Sequence, residues 1–186
     1  DSKRPLIGIG IKWKQGYGEQ KIDEETGQPY DAYINRKYDF LKDTGVTVNV
    51  AIQGRDVKVK VWKYDAHGVN NLYLLDTDID GNDGEARWIT GQLYGWFGEE
   101  RVAQEMVLGI GGVRAIRALG LDIDVYHFNE GHAVFAGLEL IREKMDSGSS
   151  FKEAWQKTRE EVVFTTHTPV IQGNESHPIE RLIYMG

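Results

Sequence analysis

Leu6, Ile7, Ile9, Ile11 and Trp13 alternate loosely, with Gly8 and Gly10 between them. This spacing predicts a strand, and glycine inside a strand marks a bulge or the close approach of another group. Gln15 to Gly18 reads as a turn, and Glu19 to Ile22 as the start of a second strand. Residues 23–44 are charged, rich in Tyr and Asp and without a clean period, which predicts loop. Gly45 opens the run Val46 to Val50, and Gln53-Gly54 separates it from Val57-Lys58-Val59-Lys60-Val61-Trp62. Strict alternation in the second run predicts one wet and one buried face, and the two runs together read as a hairpin. Leu72 to Leu75 is a short apolar strand that leads into an acidic loop, Asp76 to Glu85.

The period then changes. From Glu99 to Leu119, apolar residues fall at Val102, Met106, Ile110, Val113 and Ile116, a helical spacing of three and four. Ile123 to Phe128 is a strand candidate. Val134, Leu138, Ile141 and Met145 mark a second helix, opened by Asn129 or Glu130. Ser150 and Glu153 form a capping-box pattern, in which each satisfies an orphan N–H near the other. The stripe of that third helix is Phe151, Ala154 or Trp155, and Thr158. Val162 to Thr165 is β-branched and strand-like, with Pro169 and Gly173 in the loop after it. Helix, strand, helix, strand at these lengths predicts a parallel α/β unit behind an antiparallel β-rich portion, hence an α/β fold.

Composition narrows the function. Of 186 residues, 40% are apolar and 11% aromatic, which supplies a core and excludes whole-chain disorder. Lys and Arg number 22 against 29 Asp and Glu, a net charge of −7 that disfavours nucleic acid as a partner. No apolar run approaches the roughly 18 residues of a membrane span. The absence of cysteine excludes disulfides, thiol nucleophiles and cysteine metal sites, and a cytoplasmic location is the expectation. The chain starts at Asp1 and stops at Gly186 in what reads as the beginning of another element, so we expect an excised piece of a longer protein.

Two tempting motifs fail on context. Leu108 to Gly112 looks like a dinucleotide fingerprint, but Arg114 and Ala115 follow Gly111-Gly112, and the segment lies within a helical stripe. Close packing against a glycine-lined helix face is the better account. Asp76-Thr77-Asp78-Ile79-Asp80-Gly81 matches the first half of a calcium loop, yet its twelfth position is Arg87, where a bidentate glutamate is required. An acidic solvated loop explains it. His127 and His132 are five apart and share no helical face, so no metal site is expected.

Two segments stand out as chemistry. Asn129-Glu130-Gly131-His132 follows one predicted strand, and Thr165-Thr166-His167-Thr168-Pro169 follows the next. Ligands of open α/β sheets bind outside the carboxyl ends of strands, and these side chains suit the grasping of hydroxyl groups.

The same segments carry a resemblance. Val125 to Phe135 followed by Leu138 to Glu143, and Glu161 to Val170, resemble the glycogen/α-glucan phosphorylase family, particularly its shorter bacterial and archaeal branch. Ile89 to Gly95, Arg101, Gln104, Glu105, Leu108 to Leu119, Gly8 to Ile11, Gln20 to Asp23 and Tyr73 to Asp78 extend the match over nearly the whole chain.

The resemblance implies a Rossmann-like half of a GT-B glycosyltransferase, a section of its amino-terminal part. It implies transfer of glucose from α-1,4-glucan or maltodextrin to inorganic phosphate, giving glucose 1-phosphate. It makes His167 the catalytic residue at the glucose subsite, and Asn129, Glu130, His132 and Thr166 the substrate-binding wall. Tyr94 to Gly98 corresponds to a gating loop. Pyridoxal phosphate is the family's cofactor, but its attachment lysine belongs to the absent carboxyl-terminal half, so this chain is expected to bind none and to be inactive alone. That half is the expected partner, and an oligomer is compatible with the sequence. The alternatives are a glycogen-synthase-like nucleotide-sugar transferase and a non-catalytic carbohydrate-binding fragment, in which Tyr17, Tyr30, Tyr33, Tyr38 and Trp96 would stack on sugar rings.

Overall fold

In the computed structural model, which describes residues 5–66, 70–93, 98–170 and 174–186, the alternating valines lie at the centre of a four-stranded sheet. Along the chain run β1 (Ile7–Ile11), β2 (Glu19–Ile22), β3 (Pro29–Ala32), β4 (Lys42–Ile52), β5 (Arg55–Ala66) and β6 (Asn70–Asp76). The sheet order is β1-β6-β5-β4. β4, β5 and β6 are antiparallel neighbours, with Val59 opposite Val48 and Val61 opposite Leu75. β1 departs from the expected antiparallel pattern, because it adds to β6 in parallel, with Ile9 beside Tyr73. The predicted hairpin is present. Gln53 and Gly54 have φ of 52° and 69°, the left-handed pair that matches a two-residue turn to the twist of its strands.

Residues 23–44 are not all loop. β2 and β3 form a separate hairpin, with Glu19 opposite Ala32 and Ile22 opposite Pro29. Its side chains are mostly exposed on both faces, so no burial pattern marks it in the sequence. β4 also begins earlier than its valines, at Lys42, and a bulge between Asp43 and Thr47 passes through Gly45, whose φ is 73°.

The helices are α1 (Gly84–Trp88), α2 (Glu99–Met106) and α3 (Gly112–Ala118), the last two joined through a π-helical turn at Val107–Gly111. This rod covers the valine face of the sheet. Val102, Met106, Val107 and Ala115 pack with Val50, Val57, Val59, Val61 and Leu75 in one buried cluster. Each buried Val, Leu or Met side chain among them contributes about 1.5–3 kcal/mol of burial free energy.

Next come β7 (Tyr126–Asn129), a 3-10 turn at Gly131–Ala133, α4 (Phe135–Asp146), α5 (Phe151–Glu161), β8 (Val162–Thr165) and α6 (Ile179–Met185). β7 starts later than its apolar run, and α4 begins at Phe135, after the 3-10 turn. β7 and β8 are parallel, with Tyr126 beside Val162 and Asn129 beside Thr165, and α4 and α5 connect them. The parallel α/β unit is therefore present, and the architecture is mixed α/β. A second buried cluster of Val113, Ile116, Tyr126, Phe128, Ala136 and Leu140 joins α3, β7 and α4.

The capping box at Ser150 and Glu153 is made in both directions. The stripe of α5 differs from expectation: Ala154 and Thr158 are buried, whereas Phe151 and Trp155 are exposed. A small side chain suits the close approach of α4, which the large ones would block. Among the described residues, no helix is long and apolar enough to cross a membrane.

The glycine run acts as a packing device. A Cβ on Gly109 would lie 2.5 Å from the backbone nitrogen of Ala136, and one on Gly112 would lie 3.1 Å from Ile9 Cγ2. The start of α4 rests on the bare backbone of the π-helical turn, which is what positions the β7–α4 loop.

Candidate functional site

The register that pairs Asn129 with Thr165 brings the two predicted loops side by side at the carboxyl ends of β7 and β8. Glu130 is the clasp. Its backbone N–H donates to the Thr165 carbonyl at 2.8 Å. Its carboxylate accepts from the Thr166 hydroxyl at 3.1 Å and from the backbone N–H of His167. The His167 ring meets Asn129 Oδ1 through Nε2 at 3.0 Å. Since that oxygen only accepts, Nε2 carries the hydrogen, and in the neutral tautomer Nδ1 is then the acceptor. One position deeper, His127 Nε2 pairs with the Thr165 hydroxyl at 2.7 Å.

Glu130 holds this position against its own backbone preference. Its φ of 62° with ψ of −175° lies in a region that glycine occupies almost alone. The hydrogen bond from the His167 backbone, aided by the hydroxyls of Thr166 and Thr168 and opposed by burial, holds its carboxyl below the usual glutamate range. It is an anion, and it faces the exposed side chains of Thr166 and His167. Strain that is kept in place by a ring of hydrogen bonds is a mark of functional loops.

His132 goes elsewhere. The 3-10 turn after Glu130 sends its ring inward, where Nδ1 meets Arg101 Nη2. Burial, then the nearby Arg101, lowers its imidazole below the ordinary histidine range, so the ring is neutral. His132 lines a cavity of about 240 Å³ with Ile9, Trp13, Leu93, Arg101 and Glu105, and His167 is not among its lining residues. The five predicted residues thus divide: Asn129, Glu130, Thr166 and His167 form one hydrogen-bonded group, and His132 belongs to another.

That second group is absent from the sequence reading. Arg101, 6% exposed on α2, donates through Nε to both oxygens of Glu175 at 2.8 Å and lies 3.5 Å from Glu105. His177 Nε2 is 3.4 Å from Glu105 and 3.8 Å from Glu175. Burial, then Glu175, pushes the Glu105 carboxyl up to about 8. Burial also raises Glu175, but hydrogen bonds from Arg101 and Glu105 outweigh it and leave that carboxyl lowered. The available signal was an Arg–Glu pair four residues apart on a helix buried from Arg101 to Met106; the residues that meet it lie 31 positions later, at His132, and more than 70 later, at Glu175 and His177.

The rejected motifs are explained by contacts. Asp76, 2% exposed, accepts from Lys12 Nζ at 2.8 Å and Trp62 Nε1 at 2.9 Å. Arg87, which occupies the place of the missing calcium ligand, pairs with Asp78 at 2.8 Å. These carboxylates already have cations. Tyr94 to Phe97 of the predicted gating loop, His67 and Gly173 lie outside the described residues; Gly98 precedes α2 with φ of 98°.

No family model matches the chain. Maltodextrin phosphorylase of Thermococcus litoralis is 37% identical over 183 residues, which cover 94% of this chain and 22% of that protein. Glycogen phosphorylase of Mycobacterium tuberculosis is 38% identical over 191 residues, 95% of this chain and 22% of the relative. Glycogen phosphorylase of Aquifex aeolicus is 32% identical over 185 residues, 96% of this chain and 27% of the relative. The chain spans about a quarter of the length of these curated relatives. Alike along almost its entire length to proteins of that one kind, the chain belongs to the glycogen and maltodextrin phosphorylase family and corresponds to one section of those longer proteins.

Proposed function

We propose that the chain supplies one wall of the glucan-binding cleft of an α-glucan phosphorylase. The whole protein would transfer glucose from the end of an α-1,4-glucan to inorganic phosphate and release glucose 1-phosphate. The observation that carries this reading is the Glu130 clasp, which gathers Asn129, Thr166 and His167 on one exposed rim. A sugar ring offers hydroxyls that both donate and accept, and the rim offers both. Within that reading His167 is the catalytic residue, with Nδ1 free to accept from a sugar hydroxyl, and Thr166 and Asn129 orient the same ring. Glu130 holds the loop and places a fixed negative charge where positive character develops at the anomeric carbon. We assign the β7–β8 unit to a Rossmann-like half of a GT-B enzyme, with its ligand at the strand ends.

The family's pyridoxal phosphate supplies acid chemistry toward phosphate when it is bound. Its covalent attachment does not fit the partly buried lysines described in this chain. Lys12, Lys14, Lys60, Lys63 and Lys144, the partly buried ones, each face a carboxylate. A lysine nitrogen engaged with a carboxylate is not presented to a carbonyl. The cofactor, the second wall of the cleft and the groups that bind substrate phosphate are therefore assigned to the remainder of a longer protein, and this chain alone is expected to be inactive.

The whole protein incubated with maltodextrin and phosphate should release glucose 1-phosphate, and His167→Ala should reduce that rate by at least about a hundredfold. Transfer from a nucleotide sugar only would replace this reading with the synthase-like one. Maltodextrin binding without turnover by the whole protein would replace it with a binding module.

A further inference from the structure

Glu105, His132 and Glu175 present one ligand atom each, all within 4.8 Å of one another, and they are drawn from α2, the β7–α4 turn and the segment before α6. His177 stands beside the two glutamates of this trio. His177 Nε2 is buried without a hydrogen-bond partner and lies between Glu105 at 3.4 Å and Glu175 at 3.8 Å. We propose that Glu105, His132, Glu175 and His177 bind a divalent transition-metal cation, with zinc the best match.

Two imidazoles and two carboxylates are a donor set that suits zinc, at metal–ligand distances of about 2.0–2.2 Å, and not magnesium, which favours oxygen and retained water. The ligand atoms of Glu105, His132 and Glu175 need only small side-chain rotations to meet one ion, and His177 would join from the side of the two glutamates. Charge allows the same occupant: Glu105 and Glu175 meet the guanidinium of Arg101, and the proton that the raised Glu105 carboxyl holds is what an entering cation would displace. Arg101 competes for the same lone pairs, because it bonds Glu175 and His132 Nδ1. An entering cation would take His132 and leave Arg101 on an outer carboxylate oxygen. It would also tie the segment at Glu175 and His177 to α2, beneath the turn that follows the Glu130 clasp. The clamp is structural and needs no part in glucosyl transfer.

The test is zinc titration of the 186-residue chain after chelator treatment, with magnesium as the comparison. One zinc should bind per chain and raise the unfolding temperature, and magnesium should do neither. His132→Ala and His177→Ala should each weaken zinc binding by more than about tenfold. X-ray absorption on the zinc-loaded, unaltered chain should show two imidazoles and two oxygens, a readout that does not depend on the variants folding. Absence of binding at about 100 μM zinc, a shell without imidazole, or undiminished affinity in the doubly substituted chain would each overturn the proposal.

Discussion

The carboxylate of Glu130 accepts a hydrogen bond from the backbone N–H of His167, 37 residues later, across the gap between two parallel strands. A strained residue on one loop thereby sets the conformation of the other. Glu130→Gly should relieve the positive-φ strain and leave the unfolding midpoint unchanged or raised. The same variant of the whole protein should lose at least about tenfold in turnover, because the His167 loop is no longer held. Urea unfolding beside an assay of glucose 1-phosphate release separates the two effects; a parallel fall in both would show that Glu130 only stabilises.

Gly109→Ala tests the contact between the π-helical turn and α4. Helix propensity alone favours alanine by about 1 kcal/mol. The added Cβ would meet the Ala136 backbone nitrogen at 2.5 Å, and backbone cannot rotate away. Overpacking therefore wins, and we expect a net loss of about 1–3 kcal/mol in urea unfolding. A stabilised variant would show that α4 shifts freely.

Glu139 makes stability depend on acid. It is 3% exposed and accepts from Arg114 at 2.7 Å and from Arg142 at 2.8 Å, while Arg114 also donates to the Asn49 carbonyl at 2.7 Å. Burial raises its carboxyl, but the hydrogen bonds from Arg142 and Arg114 exceed that effect and hold it below the ordinary value of 4.5. A depressed folded value means the contribution is present above pH 4.5 and is lost as pH falls through the folded value. Glu139→Gln should cost about 3 kcal/mol at pH 7, and less as the medium becomes acidic below that window. Stability curves measured from pH 3 to pH 7 should converge at the acid end.

Ser150→Ala removes an exposed cap far from the site. The loss should be about 1 kcal/mol, with no change in turnover of the whole protein. Thermal unfolding and the activity assay together check it.

Much of the fold was legible because its cause is local. The valines of β5 alternate under a strand's period of two, the Gln53-Gly54 turn needs only its own dihedrals, and the Ser150 cap spans three residues. The β2–β3 hairpin was illegible for a related reason: with its side chains largely in water, no burial pattern was written into it. Phe151 and Trp155 misled because a helical stripe gives the period of a face but not which neighbour packs against it.

The site divides in the same way. Asn129, Glu130, Thr166 and His167 were found as polar groups at the ends of predicted strands, and the similarity to phosphorylases runs through those segments. Sequence by itself determined which residues stand at strand ends and which kind of protein this is. Only the tertiary structure decided that Glu130 spans the two loops, that His132 turns inward to Arg101, and that Glu105, Glu175 and His177 gather around it. Those relationships depend on strand register and on the direction of side chains across separations of 31 to 74 residues. Periodicity describes one element at a time, and the packing that joins them is settled by all of them at once.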